Sequence, residues 1–516
     1  MKNRWKILIA AGIALALVML IPVIYHYQLR STIGNYITEL KAKGERMELA
    51  QVIPPTVPPG ENAAPLFWKA VGLFSTNDDV LITNPPSAMH GIAPGKAMAG
   101  WMQSEIHDGN VTNSWEELRD ALARNEKALK LLDQMTNRSI FDFHLQYASR
   151  FEMQITNLVS EKKAVQKLSA GAVCELHFGD TALAVRDIQA MLVLVNGTDD
   201  ERTVISQLVR IALAQIAAAT TWELLQSTNL TDESLAVLQG DWSQLEFIKA
   251  LQRAFPVERE GAITTFTKWR NSNSELQHYF DLQNKVREAM GRSDEEDSMW
   301  SDLKAKANIF LWRYWWSYPD ELRYLKGYEV LTSAAQSVAT NGYYKIALDH
   351  QNTALDRLGI SKLNDSFDSI FSSKTDFHSM MSESIVTLGA VIRKVMRVEV
   401  SKQVILTAIA LKRYQFKHEN NPPDLNSLVP ELLPSVPLDP VDGKPLRYRL
   451  NADGSFTLYS VGENGVDDGG NPSLENNVHS NSHYWLNSHA LDWVWPKLAS
   501  GAETQAYYAK QAKDAN

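Results

Sequence analysis

The chain has a single cysteine, Cys174, so it can close no internal disulfide and cannot build a zinc site on several thiolates. Clusters of positive charge are missing too. Lys and Arg are scattered and the net charge is −9, which leaves no basic surface to draw in a phosphate backbone, so nucleic acid is not an expected partner. Compact catalytic motifs are absent: no His-Glu-x-x-His, no Gly-x-Ser-x-Gly and no Gly-x-Gly-x-x-Gly. The run from Gly91 to Lys96 comes nearest to a phosphate loop. It has one residue too few between its glycines, and Ala97 stands where a metal-binding hydroxyl is needed. His144, His177, His278 and His350 are isolated in helical stretches, the usual setting of surface or packing histidines. No catalytic or organic-cofactor residue is expected, although carboxylates on separate helices can still meet in a fold. No fixed repeat period emerges, so a regular solenoid is not predicted.

What the chain does have is an ordinary globular composition, 45% apolar and 22% charged over 516 residues, enough for two or three folding units with a large core. From Ile7 to Tyr25 it carries no formal charge. As a helix that run is about 28 Å long, matching a hydrocarbon core of roughly 30 Å. Lys2, Arg4 and Lys6 precede it and only Arg30 follows closely, so residue 1 is expected inside and the bulk of the chain outside the cytoplasmic membrane. Bulky Tyr25, His26 and Tyr27 occupy the place of a cleavage site, which favours a retained single-pass anchor over a removed signal peptide. No later stretch competes: Ile385 to Leu411 is broken by Arg393, Lys394, Arg397 and Glu399.

The periodicity predicts a mainly α protein, an irregular array of helical hairpins after the anchor, with a small α+β module at the end. The boundaries read as 1–30 for the cytoplasmic stub and anchor, 31–385 for the extracytoplasmic helical domain, 386–496 for the module and 497–516 for a frayed or loosely helical tail. An amphipathic helix spans Thr32 to Leu49, and the proline-rich connector after it breaks the pattern. Gly179-Asp180 separates two helices, the second with Val185, Ile188, Met191, Leu192 and Val195 on one face. Leu208, Ala212, Ile216 and Ala219 form a small-residue face for close packing. The acids from Ser293 to Ser298 read as a solvated loop or helix start rather than a cation site. The aromatics Trp300, Phe310, Trp312, Tyr314, Trp315, Trp316 and Tyr318 read first as core, and second as a ligand or bilayer surface.

Near residue 405 the grammar changes to helix, proline-punctuated loop, and two short strands. Leu446, Tyr448 and Leu450 alternate with arginines, Asn451 to Gly454 form a turn, and Phe456, Leu458 and Tyr459 follow. The Gly-, Asn- and Asp-rich stretch after them supplies tight turns and oxygen donors of the kind calcium takes, or a plain turn closed by Asx hydrogen bonds.

The segments ALKRYQFKHENNPPDLNSLVP, PLDPVDGKPLRYRL and LYSVGENGVDDGG resemble the C-terminal domain of the type II secretion major pseudopilin. The resemblance covers about residues 400–496 and implies a helix feeding a small antiparallel sheet, with calcium bound in the loop after the last strand. It implies Asp467 and Asp468 as side-chain ligands, carbonyls near Ser460 and Gly462 as backbone ligands, and Asn464 and Asp492 as further candidates. The prepilin processing signature is missing, so cleavage and polymerisation are not implied, and Asn-Asn-Pro-Pro replaces the family's Gly-x-Tyr-Pro. ELAQVIPPTVPPGENAAPLFWKA and ISQLVRIALAQIAAATTWELL resemble a group of bacterial membrane-anchored proteins that carry this module and have no assigned function. The expectation is a non-catalytic, membrane-anchored cell-envelope interaction or scaffold protein with an unidentified protein or envelope partner. The alternatives are an envelope hydrolase or glycan-binding protein, and a component of a secretion or pilus-like apparatus.

Overall fold

The computed structural model describes residues 24–75, 86, 88–108, 111–135, 140–289, 306–360, 380–382, 384–475 and 484–514. The expected anchor up to residue 23, the acidic run 293–298 and Trp300 lie outside the described residues.

The protein is mainly helical. At its centre the helices Asn157–Phe178, Thr181–Gly197 and Val204–Leu225 pack on one another, and Val204–Leu225 also packs on the 35-residue helix Ser384–His418. Local chemistry defines their ends. Gly179 takes φ +86, which a side chain would oppose, and Asp180 then accepts from the Leu183 N–H at 3.0 Å to cap the next helix. Thr203 caps Val204–Leu225 the same way through the Ser206 N–H, and Thr231 caps Asp232–Ser243. Val185, Ile188, Met191, Leu192 and Val195 are buried, on the face that the periodicity marks.

Among the described residues one helix, Val204–Leu225, is long and apolar enough to cross a membrane, but it is the core's central strut, largely buried inside the protein. Its deepest apolar side is Ile211, Ala214, Ala217 and Ala218, not the predicted stripe, whose Leu208, Ala212, Ile216 and Ala219 are half-buried. Helices press on it from several sides, so burial wraps most of its circumference and no single stripe dominates.

A helix at 24–42, reaching Ile33 and Leu40 into the core, is followed by a short turn of helix, Leu49–Val52. Strands β1 (His90–Ala93) and β2 (Lys96–Met98) form a hairpin, so the segment resembling a phosphate loop is strand on both sides of a turn at Pro94 and Gly95. Strands β3 (Ile106–Asp108) and β4 (Val111–Asn113) make a second hairpin. In the C-terminal region β5 (Arg447–Leu450) pairs antiparallel with β6 (Phe456–Ser460), as the alternation predicts, and β7 (Trp493–Val494) adds a third strand too short to leave a pattern.

One apolar cluster runs from Ile33 and Phe67 through the helices to Leu458, Trp493 and Trp495. The helix Ser384–His418, at whose start the 385/386 boundary was drawn, is shared by the helical array and the sheet. The tail is docked, not frayed. Strand β8 (Lys497–Leu498) pairs parallel with β2, and the helix Gly501–Asp514 brings Tyr507 to His90 at 2.9 Å and Glu503 into an ion pair with Lys96. Its partners lie some four hundred residues earlier, so local sequence could not reveal the docking.

Gly197 marks a close approach: a Cβ there would stand 1.9 Å from the Phe141 ring. Gly197→Ala is expected to displace that ring and lower stability by roughly 1–3 kcal/mol in denaturant unfolding.

Candidate functional site

The loop from Ser460 to Asn471 is the site the sequence points to. Asp492, which arrives just before β7, sits under it and accepts from three backbone N–H groups: Asp468 at 3.3 Å, Gly470 at 2.8 Å and Asn471 at 2.9 Å. Burial raises its pKa, and those three donors work against the rise. Asp467 turns to the Tyr459 hydroxyl at 3.0 Å and the Gly469 N–H at 3.1 Å, with Arg447 Nε 3.5 Å from its other oxygen. Asn464 donates to Asp468 at 3.3 Å. The Ser460 hydroxyl donates to Asp439 at 2.9 Å, and Gly462 adopts φ +66 against the Leu491 carbonyl. Apart from Asp492 these residues share one loop, yet among the described residues no three His, Cys, Asp or Glu side chains converge as a metal shell. Asp467 and Asp468 themselves are exposed to solvent.

Asp439, which the sequence reading passed over, organises the loop from beneath. It accepts from the Val441 and Val461 N–H groups and from Ser460, and Arg447 reaches it at 3.2 Å while gripping Asp442 at 2.6 Å. The Asp-Pro-Val-Asp-Gly-Lys run is the available signal, an aspartate ahead of a tight turn. The loop is fastened to the helical array by Glu463, which pairs with Arg397 at 2.7 Å and stands 3.8 Å from Arg393, and by Lys345 on the Asn464 carbonyl at 3.0 Å. Two of the charges that bar Ile385–Leu411 from lipid, Arg393 and Arg397, are thus loop anchors.

A second candidate is a cavity of about 490 Å³ beneath the proline-rich connector, lined by residues that include Pro54, Pro58, Tyr147, Asp199, Glu201 and Arg253. Its wall is self-consistent: Arg253 holds Asp199 at 2.5 Å, and Arg202 holds Asp200 at 3.0 Å while donating to the Val52 and Ile53 carbonyls. Behind it the buried Asn157 amide donates to both Glu161 and Glu201. Burial first, and for Glu161 its neighbour's charge, push both carboxyls well above the usual range, so they favour the neutral form. A third site, about 750 Å³, lies between Asp232–Ser243, Ser384–His418 and the loop near Pro434 to Pro440, and neither cavity includes the aromatics of 306–318.

Glu223 is a buried carboxylate with a structural task. Its Oε1 accepts from the Met89 N–H at 2.6 Å and the Gly100 N–H at 2.9 Å, while Trp101 Nε1 donates to its carbonyl. Next to it Trp222 Nε1 donates to the Pro496 carbonyl at 3.0 Å. One helix end therefore holds the β1–β2 hairpin and the C-terminal tail. Burial raises the Glu223 carboxyl to about 7 against those backbone donors.

Compared with protein families, curated proteins and solved structures, the chain matches none.

Two outcomes follow from this geometry. Because the folded Glu223 pKa lies above its unfolded value, its stabilising effect is complete below about pH 4.5 and is lost as pH rises through about 7. That loss is about 3 kcal/mol. Glu223→Gln, which keeps the acceptor, is expected to remove this part of the pH dependence in urea titrations at about pH 5 and pH 8.5. Asp492→Ala strands three N–H donors and is expected to lower stability by roughly 2–3 kcal/mol, with the loss of loop protection visible in hydrogen exchange.

Proposed function

We propose that this chain is a non-catalytic scaffold of the cell envelope, anchored to the cytoplasmic membrane by residues 7–25, with its helical body presented outside. The observation that carries the reading is how the ionisable groups around the loop and cavities are used. Asp439, Asp492, Glu223, Glu463, Asp199 and Asp200 each bind a backbone donor or a cation of a neighbouring segment, so they hold distant parts of one body together. A body tied in this way keeps its surface shape, which is what a scaffold needs. A charge-free run of membrane length beside Lys2, Arg4 and Lys6 supports the anchor and its orientation.

Calcium belongs to the same proposal at the Asp467–Asp468 loop, supported by two exposed carboxylates and the carbonyl-rich turns around them.

The anchored reading predicts that the full chain stays with membranes after alkaline carbonate washing, while a chain starting at residue 30 is released. Full release of the intact chain would refute the anchor. For the ion, calcium at 100 times its Kd is expected to stabilise the native state by about 2.7 kcal/mol over chelator, read as a higher Tm. The Asp467→Ala, Asp468→Ala double variant is expected to lose that shift. No shift in the parent chain leaves the loop closed by its own hydrogen bonds alone.

A further inference from the structure

The aromatic segment splits into two faces. Ile309 and Trp312 point inward, Trp312 stacking on Phe266 and donating to Asp320 at 3.2 Å. Phe310, Leu311, Tyr314 and Trp315 point outward, with Phe310 58% and Tyr314 49% exposed. Their spacing through the π-helical turn Trp312–Trp316 places them on one stripe. An outward aromatic stripe beside a fully packed one is not explained by the core.

Its position is informative. The helix at 24–42, with Lys43 just past its end, meets the helical stretch from 306 to 341 at two levels: His26 at the Tyr314 carbonyl, and Tyr36 and Lys43 both at Glu329, with sequence separations of 288, 293 and 286. A nearly constant separation means the two helices run parallel, side by side. The His26 ring also packs edge-on against Tyr318 at 4.7 Å. Tyr314 and Trp315 are therefore level with about residues 24–27. Those numbers are the end of the uncharged run and the start of the exposed residues Ile24, Tyr25 and Tyr27.

Resting on the anchored reading above, we propose that the face of Phe310, Leu311, Tyr314 and Trp315, with Tyr25 and Tyr27 exposed at the same level of the neighbouring helix, is a second membrane contact, seated at the phospholipid headgroup and acyl boundary of the bilayer that holds the anchor. Tyr and Trp favour this depth because their rings are apolar and their O–H and N–H groups reach water. The contact is interfacial rather than spanning. Lys306 is exposed eight residues before Tyr314, about 12 Å along a helix, so a straight descent beside the anchor would carry its ammonium into hydrocarbon. Arg313 is pinned to the Arg270 carbonyl at 3.0 Å, which keeps the segment against the body. Two contacts on one bilayer fix the tilt of the body, which a single flexible anchor does not. The helix Ser317–Asn341, about 37 Å long, then carries the Asp467–Asp468 loop away from the membrane, since Lys345 just past its end holds Asn464.

The test uses the full chain reconstituted in vesicles of phosphatidylethanolamine and phosphatidylglycerol, spin-labelled at single introduced cysteines, with the buried native Cys174 replaced by Ala. Labels go on Phe310→Cys, Tyr314→Cys, Ala14→Cys and Val466→Cys, and collision with oxygen and with a water-soluble nickel chelate is measured. The labels at 310 and 314 are expected to meet the nickel chelate several-fold less often than the label at 466, with oxygen access retained. Water-like values at 310 and 314 beside a lipid-like value at 14 would overturn this contact and leave the anchor standing. Water-like values at all four positions would overturn both. Shielding of 310 and 314 from both probes would also overturn it, showing protein and not lipid on the stripe.

Discussion

The C-terminal end of the Val204–Leu225 helix is the join on which the remaining architecture depends. Within two residues, Trp222 binds the Pro496 carbonyl and Glu223 binds the backbone of the β1–β2 hairpin and of Gly100. Each bond satisfies a buried polar group, and leaving either unpaired would cost more than the bond itself contributes. The consequence is topological. Residues near 90, near 223 and near 496 become one layer, which lets β8 pair with β2 and the last helix settle on the hairpin.

A similar logic runs through the other buried charges. Arg210 inserts between helices to bind the Val195 carbonyl at 2.6 Å and the Glu246 carbonyl at 3.0 Å, with its guanidinium 4.6 Å from the Phe247 ring centre. Glu399 accepts from the Phe247 N–H at 3.1 Å, Lys402 donates to the Leu245 carbonyl, and Asp320 accepts from the Met381 and Ser382 N–H groups. All sit where a helix begins or ends inside the protein, at backbone groups that lack an intrahelical partner. In an array of long helices the ends are the points of polar stress, and charged side chains from neighbouring helices relieve it.

Much of the helical order was legible from local chemistry. Gly179-Asp180 is readable because a left-handed glycine and a capping aspartate act within four residues, and the β5–β6 hairpin because alternation and the Asn451–Gly454 turn are local. The small-residue stripe read on the central helix is half-buried rather than its deepest side, since a helix surrounded by neighbours has no polar face to orient the reading. Of the loop residues, the fold unites Ser460, Gly462, Asn464, Asp467, Asp468 and Asp492 in one region, but it adds Asp439 beneath them, a residue whose task depends on Val461 twenty-two positions later.

The sequence by itself determined the mainly α class, the helix breaks, the hairpin and the uncharged N-terminal run, because each rests on interactions between residues a few positions apart. Only the tertiary structure decided that the tail is docked, that Arg397 and Glu463 clamp the loop to a helix, and that the aromatic segment divides into a buried face and an exposed one. Those outcomes join residues separated by tens to hundreds of positions, and side-chain identity carries no record of which distant backbone it will meet.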